Sequence, residues 1–204
     1  MIIKVCGMRE PDNIRAVEAL GIDLMGFIFW PSSSRFVAEI PSYLPRKCRR
    51  VGVFVDAALP DIQTAVKDYS LDFVQLHGQE SPEAISALRA RLPALRIIKS
   101  LAITGPADLD RTAAYESVSD AFLFDTPGPL PGGNGRQFNW EVLRQYRGRL
   151  PFLLSGGIGP DDVSRIRDLE IPGCIGIDLN SRFETAPGRK DVEALKTFIE
   201  TVRK

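Results

Sequence analysis

Phe122-Leu123-Phe124-Asp125-Thr126, the glycine-rich Gly132-Gly133-Asn134-Gly135 and Phe138-Asn139-Trp140 form the stretch on which the reading of this 204-residue chain turns. It reads as a buried strand ending in a carboxylate, then a long flexible loop, then the start of a helix. A buried carboxylate without partners costs several kcal/mol or is forced to a higher pKa. An isolated aspartate there is ordinarily a helix cap or a structural hydrogen bond. Here the loop separates Asp125 from the helix, which points instead to a working acid or base.

The same alternation of short apolar run and amphipathic segment extends in both directions. Strands are predicted at Ile2–Val5, Leu24–Phe29, Val51–Val55, Phe73–Leu76, Arg96–Lys99, Ala121–Phe124, Phe152–Leu154 and Cys174–Ile177. Helices are predicted at Pro11–Leu20, Phe36–Leu44 (weak, interrupted by Pro41), Leu59–Tyr69, Pro82–Arg91, Pro106–Tyr115, Trp140–Tyr146, from Gly159-Pro160-Asp161-Asp162 onward, and after Asp191. Prolines near first turns, Ser81 and Asp191 as caps and Gly21 as a stop supply the boundaries. In the last helix Val192, Leu195, Phe198, Ile199 and Val202 repeat at helical spacing.

Sequential strand–helix units imply parallel strands, and continuous apolar strands imply burial on both faces. Eight such units predict an α/β fold, a single-domain parallel (β/α)8 TIM barrel spanning residues 1–204. The competing open, doubly wound sheet wants a glycine-rich phosphate loop after the first strand, and Cys6-Gly7-Met8-Arg9 is not one.

Lys+Arg and Asp+Glu are both 26, so the formal net charge is zero. The only basic cluster, Arg46-Lys47-Cys48-Arg49-Arg50, reads as a solvated helix end leading into a strand, so no nucleic-acid partner is expected. No apolar run suits a bilayer and no signal peptide is evident, so no membrane partner is expected either. Three cysteines match no zinc spacing and no disulfide framework, which suggests a reducing cytoplasm. A single histidine, His77, leaves little room for a histidine-rich metal site or a Ser-His-Asp triad.

Barrels of this kind place their active sites at the C-terminal strand ends. Strand one ends in Lys4-Val5-Cys6-Gly7, with Lys4 and Cys6 on one face and Cys6 uppermost. A free cysteine is usually a small buried apolar residue, but nearby positive charge can make it a base. Strand two leads to Ser32-Ser33-Ser34-Arg35, able to hold an anion; arginine's fork suits a carboxylate. Strand four ends in Gln75-Leu76-His77-Gly78, where His77 is either a satisfied structural histidine or part of a site. Gly156-Gly157 after strand seven and Asp178-Leu179-Asn180-Ser181 after strand eight mark a place for the phosphate of a small substrate. Closure of the barrel would bring Asp178 near Cys6 and leave Asp125 across the mouth, an arrangement suited to paired proton transfer.

In order along almost the whole chain stand Lys4-Val5-Cys6-Gly7-Met8, Gln75-Leu76-His77-Gly78, Phe124-Asp125, the Gly132–Gly135 loop with Phe138 and Trp140, Leu154-Ser155-Gly156-Gly157-Ile158, and Pro187-Gly188-Arg189-Lys190-Asp191. The set closely resembles the phosphoribosylanthranilate isomerases of tryptophan biosynthesis. The resemblance implies an Amadori rearrangement of N-(5′-phosphoribosyl)anthranilate, with no cofactor and no metal. It implies Asp125 as general acid, Cys6 as general base and Arg35 holding the anthranilate carboxylate. Gly156, Gly157, Asn180 and Ser181 would form the phosphate site, and His77 and Asp178 would contact substrate, Asp178 alternatively orienting Cys6. An apolar wall of Phe124 and Phe138 would help to keep Asp125 protonated. The chain departs from the family's pattern at Ser181-Arg182-Phe183, where small residues are usual, and at Asn134, where threonine is common. Arg182 would either add a phosphate contact or point to solvent. A monomer is the default expectation, with a homodimer possible. The alternatives are another phosphosugar isomerase, which would generally need an aspartate where Cys6 stands, and a non-catalytic barrel binding a phosphorylated metabolite, which would not need both Cys6 and Asp125.

Overall fold

The computed structural model describes residues 1–126 and 137–204. The glycine-rich stretch at 132–135 therefore lies outside the described residues. Eight strands run in chain order: β1 Ile2–Val5, β2 Leu24–Ile28, β3 Arg49–Phe54, β4 Phe73–Leu76, β5 Arg96–Ala102, β6 Ala121–Asp125, β7 Phe152–Leu154 and β8 Cys174–Leu179. Each pairs in parallel with the next, and β1 also pairs with β8, which closes the barrel.

Period-two alternation divides every strand between two environments. Outward residues such as Val5, Phe27, Val74, Ile97, Phe122, Phe124, Phe152 and Ile177 join the large core under the surrounding segments. Inward residues Leu24, Val51, Ile98, Leu123 and Leu153 form a separate, smaller apolar cluster. Further along the same inward faces come Lys4, Gln75, Ser100, Asp125, Ser155 and Asp178, all buried and all polar. The interior is thus an apolar plug at the N-terminal end and a polar floor at the C-terminal end.

The α-helices are α1 Pro11–Glu18, α2 Leu59–Tyr69, α3 Pro82–Arg91, α4 Val163–Arg167 and α5 Val192–Val202. Ser81 caps α3 by accepting from the Ala84 N–H, and Asp191 caps α5 by accepting from the Ala194 N–H. The expected helices after β5 and β6 are 3₁₀ segments, Pro106–Ala114 and Trp140–Gln145. Beyond β8 a 3₁₀ turn, Ser181–Phe183, leads into a small antiparallel hairpin of β9 Glu184–Ala186 and β10 Arg189–Lys190.

The helix expected at Phe36–Leu44 does not form. Pro41 and Pro45 each lack an N–H, which works against a helical ladder. Phe36 instead bridges to Ile28, and the loop is gathered by Glu18 of α1. That carboxylate accepts from the Arg46 N–H, from the Lys47 N–H at 2.5 Å and from the Tyr43 hydroxyl at 2.5 Å. The basic cluster is accordingly not a helix end. Arg49 and Arg50 already belong to β3, where Asp72 takes the Arg49 guanidinium at 2.8 Å and the Arg50 N–H at 2.9 Å.

Candidate active site

A cavity at the C-terminal mouth of the barrel is lined by Cys6, Arg35, His77, Asp125, Gly156, Gly157, Asp178, Asn180 and Ser181. The structure therefore brings together every site residue expected from the sequence. Ile28, Trp30, Ser33, Val53, Val55, Gln75, Thr126, Ser155 and Ile158 complete the lining.

Cys6 follows the last residue of β1 and is held in register by its N–H, which donates to the Leu179 carbonyl at 2.9 Å. Directly below it Lys4 is fully buried and donates to Asp178 at 2.9 Å. Lys4 and Asp178 are register partners on β1 and β8. Asp178 therefore both lines the cavity and pairs with Lys4. Burial works against the Lys4 ammonium, but Asp178 and Cys6 outweigh it and its pKa lies above the ordinary value. Burial pushes the Cys6 thiol up, while Lys4 and Lys190 pull it down and Asp178 adds to the rise.

Across the mouth, Asp125 ends β6 and is 6% exposed. One carboxylate oxygen accepts from the Thr126 N–H at 2.8 Å, and the other lies 3.2 Å from His77 Nε2. Gln75 Nε2 lies 2.8 Å from His77 Nδ1, so an amide N–H donated there leaves the ring proton on Nε2, facing Asp125. The expected apolar wall is not what surrounds this carboxylate. Phe124 precedes Asp125 in the strand and so faces the opposite way, packing edge-on against Tyr146 and tilted against Phe152 in the outer core. Phe138 is half-buried against that same core.

Arg35 lines the cavity but its fork is already engaged. Nε and Nη2 donate to Glu184 at 2.9 and 2.7 Å, and among the described residues Nη1 has no such partner. Glu184 also accepts from Lys190 Nζ at 2.6 Å and from the Gly188 N–H at 3.1 Å, and Lys190 donates to Asn180 at 2.7 Å. Burial works against the Glu184 charge, but hydrogen bonds from Arg35 and the Lys190 charge hold its pKa below the usual carboxylate range. The hairpin after β8 thus contributes the anion Glu184 and the cation Lys190, which with Arg35 from the loop after β2 form a charge cluster on one side of the cavity.

Gly156 and Gly157 both have left-handed backbone, with φ of +92° and +67°. A Cβ on Gly156 would lie 2.7 Å from the Thr126 nitrogen and closer still to its hydroxyl. Only glycine meets both conditions, and the backbone can then come close to a ligand. The α-helix beyond is only Val163–Arg167, preceded by a 3₁₀ turn at Pro160–Asp162. Asp162 occupies that turn and accepts from the Gly159 N–H at 2.8 Å. The anion-binding capacity expected from a helix end therefore rests on the glycine backbone. Arg182 is exposed, and its side chain lies against Gly159, where a Cβ would stand 3.1 Å from Nε.

Among the described residues no group of three or more His, Cys, Asp or Glu is arranged to hold a metal ion. No described helix is long and apolar enough to cross a membrane.

A sequence model of the family described as N-(5′-phosphoribosyl)anthranilate (PRA) isomerase matches residues 3–201. The chain belongs to this family. It is 49% identical to the N-(5′-phosphoribosyl)anthranilate isomerase of Phocaeicola vulgatus, over 100% of this chain and 98% of that one. It is similar to the crystal structure of the phosphoribosyl anthranilate isomerase of Thermotoga maritima, with TM-score 0.86 and 31% identity over 100% of this chain and 99% of that one. It is also similar to a phosphoribosyl anthranilate isomerase crystallised with reduced 1-(o-carboxyphenylamino)-1-deoxyribulose 5-phosphate, with TM-score 0.80 and 28% identity over 100% and 99% of the two chains.

Sequence reasoning about this isomerase family member passed over Glu184 and Lys190, which hold the Arg35 side of the cavity, and gave Lys4 no task. For Lys4 the signal was available: a lysine between Ile3 and Val5 in an apolar strand needs a buried partner. Glu184 carried no such signal, because its hairpin is too short to show a pattern.

Proposed function

We propose that this chain, acting as one (β/α)8 catalytic unit over residues 1–204, catalyses the Amadori rearrangement of N-(5′-phosphoribosyl)anthranilate to 1-(2-carboxyphenylamino)-1-deoxyribulose 5-phosphate. The observation that carries this reading is the placement of Cys6 and Asp125 in one closed-ended cavity beside the Gly156-Gly157 turn. Asp125, protonated, gives its proton to the furanose ring oxygen. The C1′–O bond breaks, and the anthranilate nitrogen's lone pair forms the C1′=N⁺ bond. Cys6, as thiolate, takes the C2′ proton. The C–H electron pair becomes the C1′=C2′ double bond, and the nitrogen recovers its lone pair. The resulting enolamine loses its enol proton and gains one at C1′, which gives the ketose.

The iminium charge next to C2′ would itself favour the thiolate at the moment it is needed, against the burial that favours the thiol. His77 holds Asp125 toward the cavity, Arg35 offers Nη1 to the anthranilate carboxylate, and Gly156, Gly157, Asn180 and Ser181 receive the phosphate. Each positioned proton transfer is worth roughly 10² to 10⁴ in rate. The reaction proceeds in the cytoplasm without metal or cofactor.

Anthranilate fluorescence tests the assignment. Substrate generated in solution should lose its fluorescence on addition of the purified protein, with indoleglycerol-phosphate synthase present to draw off product. A folded protein that binds the reduced product analogue but leaves the signal unchanged would overturn the catalytic reading in favour of a metabolite-binding barrel.

A further inference from the structure

The polar floor of the barrel contains an ion pair that the reaction as described does not use. Lys4 has no exposed surface, and Asp178, its carboxylate partner, is 7% exposed. Toward the N-terminal ends of the strands Leu24, Val51, Ile98, Leu123 and Leu153 form an apolar layer filled by side chains. Packing could be satisfied at the Lys4 level in the same way. Replacing a buried ion pair with apolar groups is commonly neutral or stabilising, so stability alone does not call for a lysine here.

The ammonium's surroundings say what it faces. Lys4 and Cys6 point into the barrel from the same strand, two residues apart and both buried, with Lys4 directly beneath the sulfur's position. On β2 Lys4 pairs in register with Leu24, while Gly26, which contributes no side chain, lies against Cys6. From β8 comes Asp178, and from β10 comes Lys190, whose Nζ is committed to Asn180 and Glu184. His77 and Asp125 face the same cavity from β4 and β6. Lys4 is thus a fully buried cation on the sulfur's own strand and face, held there by Asp178.

We propose that Lys4 is a positioning residue for Cys6: its ammonium, anchored by Asp178, holds the sulfur in place and stabilises its anionic form for proton removal from C2′. The inference rests on the reading of Cys6 as the base. It accounts for a lysine and an aspartate in register on neighbouring strands just beneath the reactive position.

The test titrates the Cys6 thiolate by its ultraviolet absorbance in a Cys48→Ala, Cys174→Ala background, alongside the pH profile of kcat. Lys4→Gln keeps a hydrogen bond to Asp178 and removes the charge. It should move both curves to higher pH by about one unit, a tenfold loss of thiolate at a given pH, with KM changed less than about threefold. Lys4→Arg restores the charge and should recover most of the shift. Should Lys4→Gln fold poorly, Lys4→Gln/Asp178→Asn carries no buried ion, and with the cation on the sulfur's own strand and face removed its curve should still lie above the parent's. A thiolate curve unmoved in these variants, whatever kcat does, would overturn the proposal and leave Lys4 structural. Retained turnover in Cys6→Ala would instead overturn the assignment of the base, and the role of Lys4 with it.

Discussion

Gly26 on β2 makes the room that Cys6 occupies: a Cβ on Gly26 would stand 2.7 Å from the Cys6 sulfur and 3.1 Å from its Cα. Even one methyl group there must displace the proposed base. Gly26→Ala should lower kcat by about 10²-fold, the penalty typical of a misplacement on the order of an ångström. Binding of the reduced product analogue should weaken far less. Steady-state kinetics and calorimetry read the two effects apart, and an unchanged kcat would show that Cys6 tolerates the shift.

Asp125 faces the cavity with His77 on one carboxylate oxygen and the Thr126 N–H on the other. Asp125→Asn preserves shape but has no acidic proton to give. A fall in kcat of roughly 10² to 10⁴ is expected, with the analogue still bound. Substrate whose ring opens as fast in this variant as in the parent would remove Asp125 from the role of acid.

Glu184 lies between two cations, and its charge matters to stability as well as to Arg35. Its folded-state pKa is depressed, so its contribution is fully present above the unfolded value of about 4.3 and is lost as pH falls through the lower folded value. Glu184→Gln leaves Arg35 and Lys190 facing each other and should destabilise the protein by about 3 to 5 kcal/mol at neutral pH. The difference from the parent should shrink below about pH 4. Denaturant melts across that window provide the check; a pH-independent difference would mean that the charge is not what holds the hairpin.

At Gly156 an added Cβ meets Thr126 on backbone that is already left-handed. Gly156→Ala should distort the turn proposed to receive phosphate. A left-handed non-glycine residue is strained by about 1 to 2 kcal/mol, which as lost affinity is roughly tenfold. KM should therefore rise more than kcat falls. A KM equal to the parent's would place the phosphate elsewhere.

The strands were legible because short apolar runs recur along the chain, and one such as Phe122–Phe124 has no other comfortable place. The helix expected after β2 was misread from scattered apolar residues around Pro41, where Glu18, far away in sequence, supplies the hydrogen bonds that organise the loop. The site residues stood out because they follow strand ends in a barrel, a regularity of chain order. The partners did not. Lys4 and Asp178 are 174 residues apart and meet only once closure fixes the register of β1 against β8. The orientation of Phe124 was within reach, since a neighbour of Asp125 in a strand must face the other way.

The central claim is that Cys6 takes the C2′ proton. The most direct measurement follows deuterium at C2′ of N-(5′-phosphoribosyl)anthranilate through turnover by the parent protein and by Cys6→Ala. The parent should lose the label as product forms. Cys6→Ala, folded and still binding the reduced product analogue, should retain it and form product at least about 10²-fold more slowly. Label lost at the parent's rate in Cys6→Ala would contradict the account and assign the proton to another base.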